Sequence, residues 1–325
     1  MDLDVVFLGT SGSTPTAQRA PAATLVRRGG DRLLFDCAEG TQRQLLRCDV
    51  GLLELREIFL THYHADHYLG LPGMLKTYSL RGRDVPLTIY GPRGLRELVS
   101  TLKRVFGRLT YPLELTELEV GETLERGEYG LETFAVNHGV SALGYRLVEH
   151  ERPGRFDVEV ADSLGVPDGP ERGALQRGEL VTLADGTVVA PEQVLGPARA
   201  GRTLVLTGDT APASSVMEAA RDADVLVHEA TFLADERERA RETLHSTAGE
   251  AALVAREAGV RLLALTHLST RYFGHEVVQE ARELFPDTVV PRDFDVIDIP
   301  FPERGKPELV RSGARAEKAA ISSET

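Results

Sequence analysis

Short apolar runs recur along most of the chain, and each ends in a polar residue or a glycine. Strand-like runs rich in Val, Ile, Leu and Phe are Val5–Leu8, Leu33–Phe35, Ile58–Leu60, Leu87–Tyr90, Thr203–Leu206, Val225–Val227 and Leu262–Leu265. Helix-like segments lie between several of them, at Arg93–Phe106, Ser214–Arg221, Ser246–Ala258 and Glu276–Leu284. This alternation of strands and helices predicts an α/β fold.

The pattern breaks between Glu151 and Pro197, where Gly, Pro and charged residues dominate. One interpretation is a long surface insertion. Another is a phosphate-binding arm, because guanidinium groups suit phosphate contacts and the segment contains Arg152, Arg155, Arg172 and Arg177. Residues 303–325 lack periodic apolar positions, which predicts a disordered tail. We expect one domain over residues 1–302 that includes the insertion 151–197.

Composition narrows the class of protein. The chain of 325 residues is 42% hydrophobic, enough for a sizeable core, and its net charge of −13 argues against generic nucleic-acid binding. Any nucleic-acid site must then be a local patch. The two cysteines, outside any CxxC pair, fit a reducing compartment, and no stretch approaches the roughly 20 apolar residues of a membrane span. We expect a cytoplasmic protein with no membrane association and no DNA partner.

The strongest chemical signal is the run T-H-Y-H-A-D-H at residues 61–67, directly after a strand-like run. His62 and His64 would point to the same side of an extended chain and could chelate one metal ion. Asp66 and His67, at the turn that follows, could bind a second ion. A single histidine is more often structural, but four metal-binding side chains in six positions favour a metal site.

Three further ligand candidates follow strand-like runs elsewhere, namely His138, Asp209 and His267. Catalytic groups of α/β folds gather on loops at strand ends. With the first cluster they form a nitrogen and oxygen ligand set that suits Zn²⁺, and Mn²⁺ or Fe would also fit. Two such ions about 3.5–4 Å apart can hold a hydroxide and stabilise an in-line displacement at phosphorus. The set predicts hydrolysis, most naturally of a phosphodiester.

The pattern His-x-His-x-Asp-His, followed by a distant His, Asp and His, resembles the metallo-β-lactamase superfamily. This resemblance implies a four-layer αβ/βα sandwich with a dinuclear site at one edge, but does not choose among the many activities on that fold. Other segments resemble the ribonuclease Z family of tRNA 3′-processing endonucleases over nearly the whole chain: F-L-G-T-S-G-S at 7–13, F-D-C-A-E-G-T-Q at 35–42, H-E-A-T-F at 228–232, H-S-T at 245–247 and L-G-V-P-D-G-P at 164–170.

The family resemblance implies roles for individual residues. His62, His64 and His138 would bind one zinc ion, and Asp66, His67 and His267 would bind the other. Asp209 would bridge the two ions. Asp66 would also accept the proton of the attacking water, while His245 donates a proton toward the leaving oxygen and Glu229 orients His245.

The resemblance also implies a substrate and an assembly. The substrate would be precursor tRNA, cut to leave a tRNA 3′-hydroxyl and a trailer 5′-phosphate. The enzyme would hold two zinc ions per subunit and act as a homodimer, with the arm of one subunit holding tRNA at the active site of the other.

The loop Pro15–Ala20 departs from the family pattern Pro-x-Lys-x-Arg-Asn, which is associated with sensing the tRNA 3′ end. Arg19 matches and is a further candidate for substrate binding, but Ala17 and Ala20 replace the Lys and the Asn. We therefore expect altered treatment of precursors that carry CCA. Two other functions stay open, a small-molecule phosphodiesterase of the same fold and a catalytically silent RNA-binding dimer.

Overall fold

A computed structural model describes residues 1–48, 51–52 and 55–312. Strands are numbered in chain order. The first sheet contains β1 (Leu3–Gly9), β2 (Ala23–Arg28), β3 (Asp31–Phe35), β4 (Glu57–Phe59), β5 (Leu87–Gly91), β6 (Leu113–Glu117), β16 (Val296–Asp298) and β17 (Glu308–Val310), in the spatial order β17-β16-β1-β2-β3-β4-β5-β6. The second contains β7 (Thr123–Glu125), β8 (Tyr129–Ala135), β9 (Leu143–Glu149), β12 (Thr203–Leu206), β13 (Val225–Glu229), β14 (Leu262–Thr266) and β15 (Thr288–Val289), in the order β15-β14-β13-β12-β9-β8-β7.

Helices cover the outer faces of both sheets. On the first sheet pack α1 (Thr41–Arg47), α3 (Leu71–Leu80) and α4 (Leu95–Phe106). On the second pack α8 (Ser214–Ala219), α10 (Ala248–Ala258) and α11 (Gly274–Leu284). Two short helices, α2 (Ala65–Tyr68) and α9 (Arg237–Thr243), lie in connecting segments. The layers are helix, sheet, sheet and helix, so the predicted four-layer αβ/βα sandwich is confirmed.

Strand β1 shows how the sequence pattern builds these layers. Val6 and Leu8 pack toward the outer helices, whereas Val5 and Phe7 pack toward the second sheet. The side chains divide in this way because successive residues of a strand point to opposite faces. All four are at most 1% exposed, so this part of the strand is a continuous apolar run and not an alternating one.

The predicted helix Ser246–Ala258 begins two residues later, at Ala248. Thr247 caps it, because its hydroxyl accepts a hydrogen bond from the backbone N–H of Glu250 at 3.1 Å while the Glu250 carboxylate accepts one from the N–H of Thr247 at 3.0 Å. Gly259 ends the helix with a φ of 71°, which a glycine adopts without strain.

The insertion 151–197 lies between β9 and β12 and has secondary structure of its own. Its elements are α5 (Val158–Ser163), α6 (Pro170–Gln176), the paired strands β10 (Val181–Thr182) and β11 (Val188–Val189), and α7 (Pro191–Val194). They enclose a small separate core formed by Ala161, Val166, Leu175, Val181, Val189 and Val194. We call this unit the arm.

The prediction of a disordered tail from residue 303 is wrong for its first ten residues. Strand β17 pairs with β16, and Arg311 forms an ion pair with the buried Asp295. The sequence pattern hid this strand because it is three residues long and its side chains are at most partly buried. The rest of the predicted tail, residues 313–325, lies outside the described residues.

Among the described residues, no helix combines the length and the apolar character needed to cross a membrane.

Candidate metal centre

The predicted ligands come from loops that follow strands at one edge of the two sheets. His62 and His64 follow β4, and the next turn, helix α2, carries Asp66 and His67. The remaining three lie just beyond strands of the second sheet, His138 after β8, Asp209 after β12 and His267 after β14. Because β12, β13 and β14 run parallel, the loops after them leave the same edge of the sheet.

The structure brings all seven predicted ligands together. Within each of three groups the potential ligand atoms lie less than 4.8 Å apart: His62, His64 and His138; Asp66, His67 and His267; and His62, His67 and Asp209. The first two groups are the two ligand sets that the family resemblance implied.

Asp209 lies between the two groups. Its Oδ2 atom is 3.3 Å from Nε2 of both His67 and His267, 3.7 Å from Nε2 of His138 and 3.8 Å from Nε2 of His62. One carboxylate oxygen therefore faces ligands of both groups, which fits a bridging position.

The chemistry of these atoms fits bound divalent cations. Oδ1 of Asp209 is buried and has no hydrogen-bond partner in the described part of the chain. Nε2 of His67 is also buried and has no hydrogen-bond partner among the described residues. It lies near Oδ2 of Asp209, but the two atoms are not aligned for a hydrogen bond. Buried polar atoms without partners are costly, and metal ions would satisfy them.

Hydrogen bonds at the far side of each ring select the nitrogen that faces the centre. Nδ1 of His67 donates to the Asp36 carboxylate at 2.7 Å, and Nδ1 of His138 donates to the Leu244 carbonyl at 3.0 Å. Nδ1 of His267 donates to the Thr231 hydroxyl at 2.9 Å. Nε2 of each ring is then the free acceptor.

His62 and His64 differ in the nitrogen that they present. Nδ1 of His62 contacts the Thr61 hydroxyl at 3.0 Å, so Nε2 faces the centre. In His64 it is Nδ1 that lies 3.0 Å from Nε2 of His62 and 3.1 Å from Nε2 of His138. His64 therefore offers the opposite ring nitrogen from the other four ligand histidines.

Sequence reasoning missed Asp36 and Thr61 as orienting residues. The Asp36 carboxylate accepts hydrogen bonds from the backbone N–H of Thr61 at 2.8 Å and from its hydroxyl at 2.9 Å. The same carboxylate holds His67, so one side chain orients a ligand of each metal group, His67 directly and His62 through Thr61. The available sequence signal was the F-D-C run at 35–37. In the structure, Asp36 adopts a left-handed φ of 59°, which is uncommon for a residue with a side chain.

Burial and neighbouring charges set the protonation of the ligands. Burial, reinforced by the neighbouring His67, lowers the pKa of His62 to about 2, which leaves the ring neutral, as a metal ligand must be. Burial would raise the pKa of Asp66, but the close contacts of its carboxylate with the His267 and His67 rings lower this pKa below its usual value. Asp66 is therefore a carboxylate.

His245 and Glu229 form a hydrogen-bonded pair beside the ligands. Nδ1 of His245 donates to Oε1 of Glu229 at 2.7 Å, and the His245 ring stacks on the His267 ring with centroids 5.5 Å apart. Glu229 is itself held by N–H groups of Thr210 and Thr231. Burial would lower the pKa of His245, but the Glu229 carboxylate outweighs it and raises this pKa to about 9. His245 is therefore a cationic acid at neutral pH.

Most of the predicted substrate-binding arginines already have partners in the protein. Arg19 donates to the Thr10 hydroxyl at 2.6 Å and to the Pro291 carbonyl at 2.8 Å, so it supports its own loop. Arg172 pairs with two carboxylates of the arm, and Arg177 with the exposed Glu179. Arg152 lies at the base of the arm and pairs with Glu303. Their role in binding substrate stays a prediction.

Arg155 is the remaining predicted arm arginine. It is exposed, and it has no side-chain hydrogen bond or ion pair to any residue that the structure describes. It is the member of the set that is most open to a phosphate group.

Comparison with known proteins agrees with this geometry. The family model of the metallo-beta-lactamase superfamily matches residues 17–291. Ribonuclease Z of Methanosarcina acetivorans is 45% identical over 302 residues, which cover 92% of this chain and 99% of the relative, and ribonuclease Z of Myxococcus xanthus is 48% identical over 303 residues, 92% and 98%.

Solved structures show the same fold. Human tRNase Z, short form, has a TM-score of 0.65 with 26% identity, covering 92% of this chain and 100% of that chain. The metallo-beta-lactamase fold protein YhfI of Bacillus subtilis has a TM-score of 0.66 with 21% identity, with 92% and 100% covered. The chain therefore belongs to the metallo-β-lactamase superfamily and is a metal-dependent hydrolase. Within that superfamily it belongs to the ribonuclease Z family.

Replacing the orienting carboxylate should weaken metal binding. Asp36→Asn keeps the shape of the side chain but turns its amide N–H₂ either toward Nδ1–H of His67 or toward the Thr61 donors. We expect metal affinity to fall roughly 10- to 100-fold, measured by competition with a chelator and by mass spectrometry of metal content. Asp84→Asn, at an exposed position, serves as the control. Equal affinity in the two variants would rule out the orienting role.

Removing the Glu229 charge should change the pH dependence of catalysis. His245 works as an acid only below its pKa, which Glu229 raises to about 9. In Glu229→Gln the alkaline limb of the pH–rate profile should move down by about one to three units for a phosphodiester with an alkoxide leaving group. A nitrophenyl ester, whose leaving group needs no proton, should show no such shift. Glu242→Gln, at an exposed position on α9, is the control, and an unmoved limb in Glu229→Gln would contradict the assignment.

Proposed function

We propose that this protein is a metal-dependent endoribonuclease that removes the 3′ trailer of precursor tRNA, leaving a tRNA 3′-hydroxyl and a trailer 5′-phosphate. The observation that carries the proposal is the convergence of seven ligand side chains beside the His245–Glu229 pair. The identity of 44–48% with curated ribonucleases Z over more than nine-tenths of the chain supports RNA as the substrate.

Two Zn²⁺ ions per subunit are the cofactor that we propose. The donor set supports this choice, because imidazole nitrogens with carboxylate oxygens and no thiolate suit zinc, while Mn²⁺ and Fe would also be accepted. His62, His64 and His138 would hold one ion, Asp66, His67 and His267 the other, and Asp209 would contact both. When bound, the ions supply Lewis-acid polarisation of the phosphate and lower the pKa of water.

The protein side chains would handle the protons of the reaction. Asp66 is the proposed acceptor for the proton of the attacking water. Oδ2 of Asp66 is held by the N–H of Ser13 at 2.8 Å and lies 3.3 Å from Nε2 of His267. These contacts fix the direction of the carboxylate before substrate binds. A weak base would suffice, because bound metal ions would make the water more acidic.

His245 is the proposed acid on the leaving side. Breaking the bond between phosphorus and O3′ leaves negative charge on that oxygen, and the protonated His245 can donate to it. Glu229 keeps His245 protonated and fixes its ring through the 2.7 Å hydrogen bond. The products are then a tRNA with a free 3′-hydroxyl and a trailer that retains the phosphate.

Substrate recognition is assigned to the arm. The chain carries a net charge of −13, so phosphate contacts must be local. The exposed Arg155 and Arg177 are the arm arginines most open to phosphate, because among the described residues Arg177 forms its ion pair only with the exposed Glu179, for which RNA can substitute. Binding that depends on few contacts of this kind is weakened by salt.

The assembly and the compartment are also proposals. We propose a homodimer in the cytoplasm, in which the arm of one subunit reaches tRNA at the active site of the other. The family relationship supports the dimer. Two free cysteines, one of them the fully buried Cys37, support a reducing compartment.

The loop Pro15–Ala20 bears on the position of the tRNA 3′ end. Arg19 is turned toward Thr10 and Pro291, and the N–H of Ala20 donates to the Asp293 carboxylate at 2.7 Å. The loop is therefore held by the body of the protein, while the side chain of Ala17 offers no polar group to RNA. We propose that this enzyme discriminates less strongly against tRNA that carries CCA.

Incubation of a 3′-extended tRNA with the zinc-loaded protein tests the function directly. The wild type should release the trailer with a 5′-phosphate, and Asp66→Ala should reduce the rate at least 100-fold because it loses both a ligand and the proton acceptor. Mapping of both new ends by sequencing and mass spectrometry is the measurement. Binding without cleavage under varied Zn²⁺ and Mn²⁺ would instead identify the silent RNA-binding dimer.

Shortening the arm should separate the two hydrolytic functions. The N–H of Asp157 donates to the carbonyl of Val194 at 2.7 Å, so a short glycine linker can replace residues 158–193 without moving the strands at its base. Cleavage of tRNA should fall at least 100-fold, while hydrolysis of bis(p-nitrophenyl) phosphate stays within about twofold. Equal loss on both substrates would contradict the role of the arm, and unchanged tRNA cleavage would favour a small-molecule phosphodiesterase.

A further inference from the structure

The arm joins the body through a narrow two-stranded neck, formed by residues 152–157 and 194–199. The N–H and C=O groups of Arg152 exchange two hydrogen bonds with those of Arg199, at 2.8 and 2.9 Å. Further along, the N–H of Gly196 donates to the Arg155 carbonyl at 2.9 Å, and Asp157 pairs with Val194. The neck is therefore a hydrogen-bonded ribbon and not a pair of loose linkers.

Two glycines make the neck tight. A Cβ atom added to Gly154 would lie 1.9 Å from the carbonyl oxygen of Gly196, far closer than atoms can approach. The two backbones are in direct contact at this point, which leaves no space for a side chain. The ribbon therefore emerges from the body as one unit, and its direction depends on what holds its base.

The base of the neck is anchored by buried charges. Arg202, only 2% exposed, follows the second neck strand and donates two hydrogen bonds of 2.7 Å to the Glu149 carboxylate, which precedes the first. Arg28 donates to the same carboxylate at 2.8 Å from strand β2. A buried carboxylate shared by two guanidinium groups ties both ends of the insertion to the body.

Phe301 lies between Arg152 of the neck and Arg202 at its base. The guanidinium carbon of Arg152 is 3.4 Å from the centre of the Phe301 ring, and that of Arg202 is 4.0 Å away. Such contacts are cation–π interactions, and they are favoured here because Phe301 is only 8% exposed. The ring therefore connects Arg152 in the neck with Arg202 at the base of the neck.

Glu303 contacts both strands of the neck. Its carboxylate pairs with both nitrogens of the Arg152 fork at 3.0 Å and accepts a longer hydrogen bond of 3.4 Å from Arg199. The two arginines lie on opposite strands of the neck, so one carboxylate contacts both. Phe301 and Glu303 lie between β16 and β17, which are neighbouring strands of the first sheet. They therefore belong to the body and not to the arm.

We propose that Phe301 and Glu303 are positioning residues that set the direction in which the arm leaves the body, and thereby its reach toward bound tRNA. The proposal rests on the proposed function, since only a macromolecular substrate spans both arm and metal centre. A small rotation at the neck is magnified with distance along the arm. This arrangement also explains why Arg152, which the sequence offered as a phosphate ligand, faces the body.

Glu303→Gln and Phe301→Leu test this positioning role in the full-length, zinc-loaded protein. Each should raise KM for a 3′-extended tRNA roughly five- to tenfold, with kcat and the hydrolysis of bis(p-nitrophenyl) phosphate within about twofold of the wild type. Hydrogen exchange of the neck amides should become faster in both variants. Phe301→Tyr, which keeps the ring, should restore the KM.

Matched controls separate positioning from folding. Glu308→Gln removes an exposed carboxylate from β17 on the same segment and should leave the KM for tRNA unchanged. Arg199→Gln should reproduce part of the effect of Glu303→Gln, and the double variant should show less than the product of the two changes.

Several outcomes would overturn the proposal. It is wrong if the wild type cuts tRNA but both variants keep its KM, or if tRNA and the small ester lose activity in parallel, which would mark a purely structural role. A wild type that leaves tRNA uncut while hydrolysing the small ester would overturn the proposed function first, and the positioning role with it. If the neck amides of both variants exchange hydrogen at the wild-type rate, this would show independently that Phe301 and Glu303 do not hold the neck.

Discussion

The structure depends on the crowding of imidazole and carboxylate groups around one oxygen atom, Oδ2 of Asp209, which lies within 3.8 Å of four histidine nitrogens. Polar atoms packed so closely in a buried site cannot all satisfy one another, and Oδ1 of the same side chain has no partner in the described structure. Such an arrangement is costly for the protein alone. It becomes favourable when divalent cations bind, so folding and metal binding are linked at this site.

The second layer of hydrogen bonds prepares the ligands for that role. Asp36, Thr61 and Thr231 are not among the predicted ligands, yet they decide which nitrogen the rings of His67, His62 and His267 present. Thr231 also donates to Glu229 at 2.7 Å, so the same hydroxyl links a ligand histidine to the carboxylate that orients His245. His267 and the proposed acid are thus held by one hydrogen-bonded network, which places them in a fixed relation before substrate arrives.

The role that we propose for the arm meets a different requirement, the binding of a large anion by an acidic protein. Most of its arginines are neutralised by neighbouring carboxylates, as in the pairs of Arg172 with Asp162 and Asp168. What remains is a compact unit with its own small core on a stiff neck. The contribution that we propose for the arm is therefore one of placement as much as of charge, since a few exposed groups would suffice when their position is defined.

By itself the amino-acid sequence determined the fold class, most central strands and the seven ligand candidates. It did so because apolar runs record burial directly and because four metal-binding side chains in six positions are hard to explain otherwise. It missed short edge elements such as β17, whose half-exposed residues carry no clear pattern. Only the tertiary structure decided that Asp36 orients His67, that Arg152 serves the neck, and that Phe301 and Glu303 contact it. These are contacts between segments up to about 150 residues apart, and a linear pattern holds no information on which distant side chains meet once the sheets have packed.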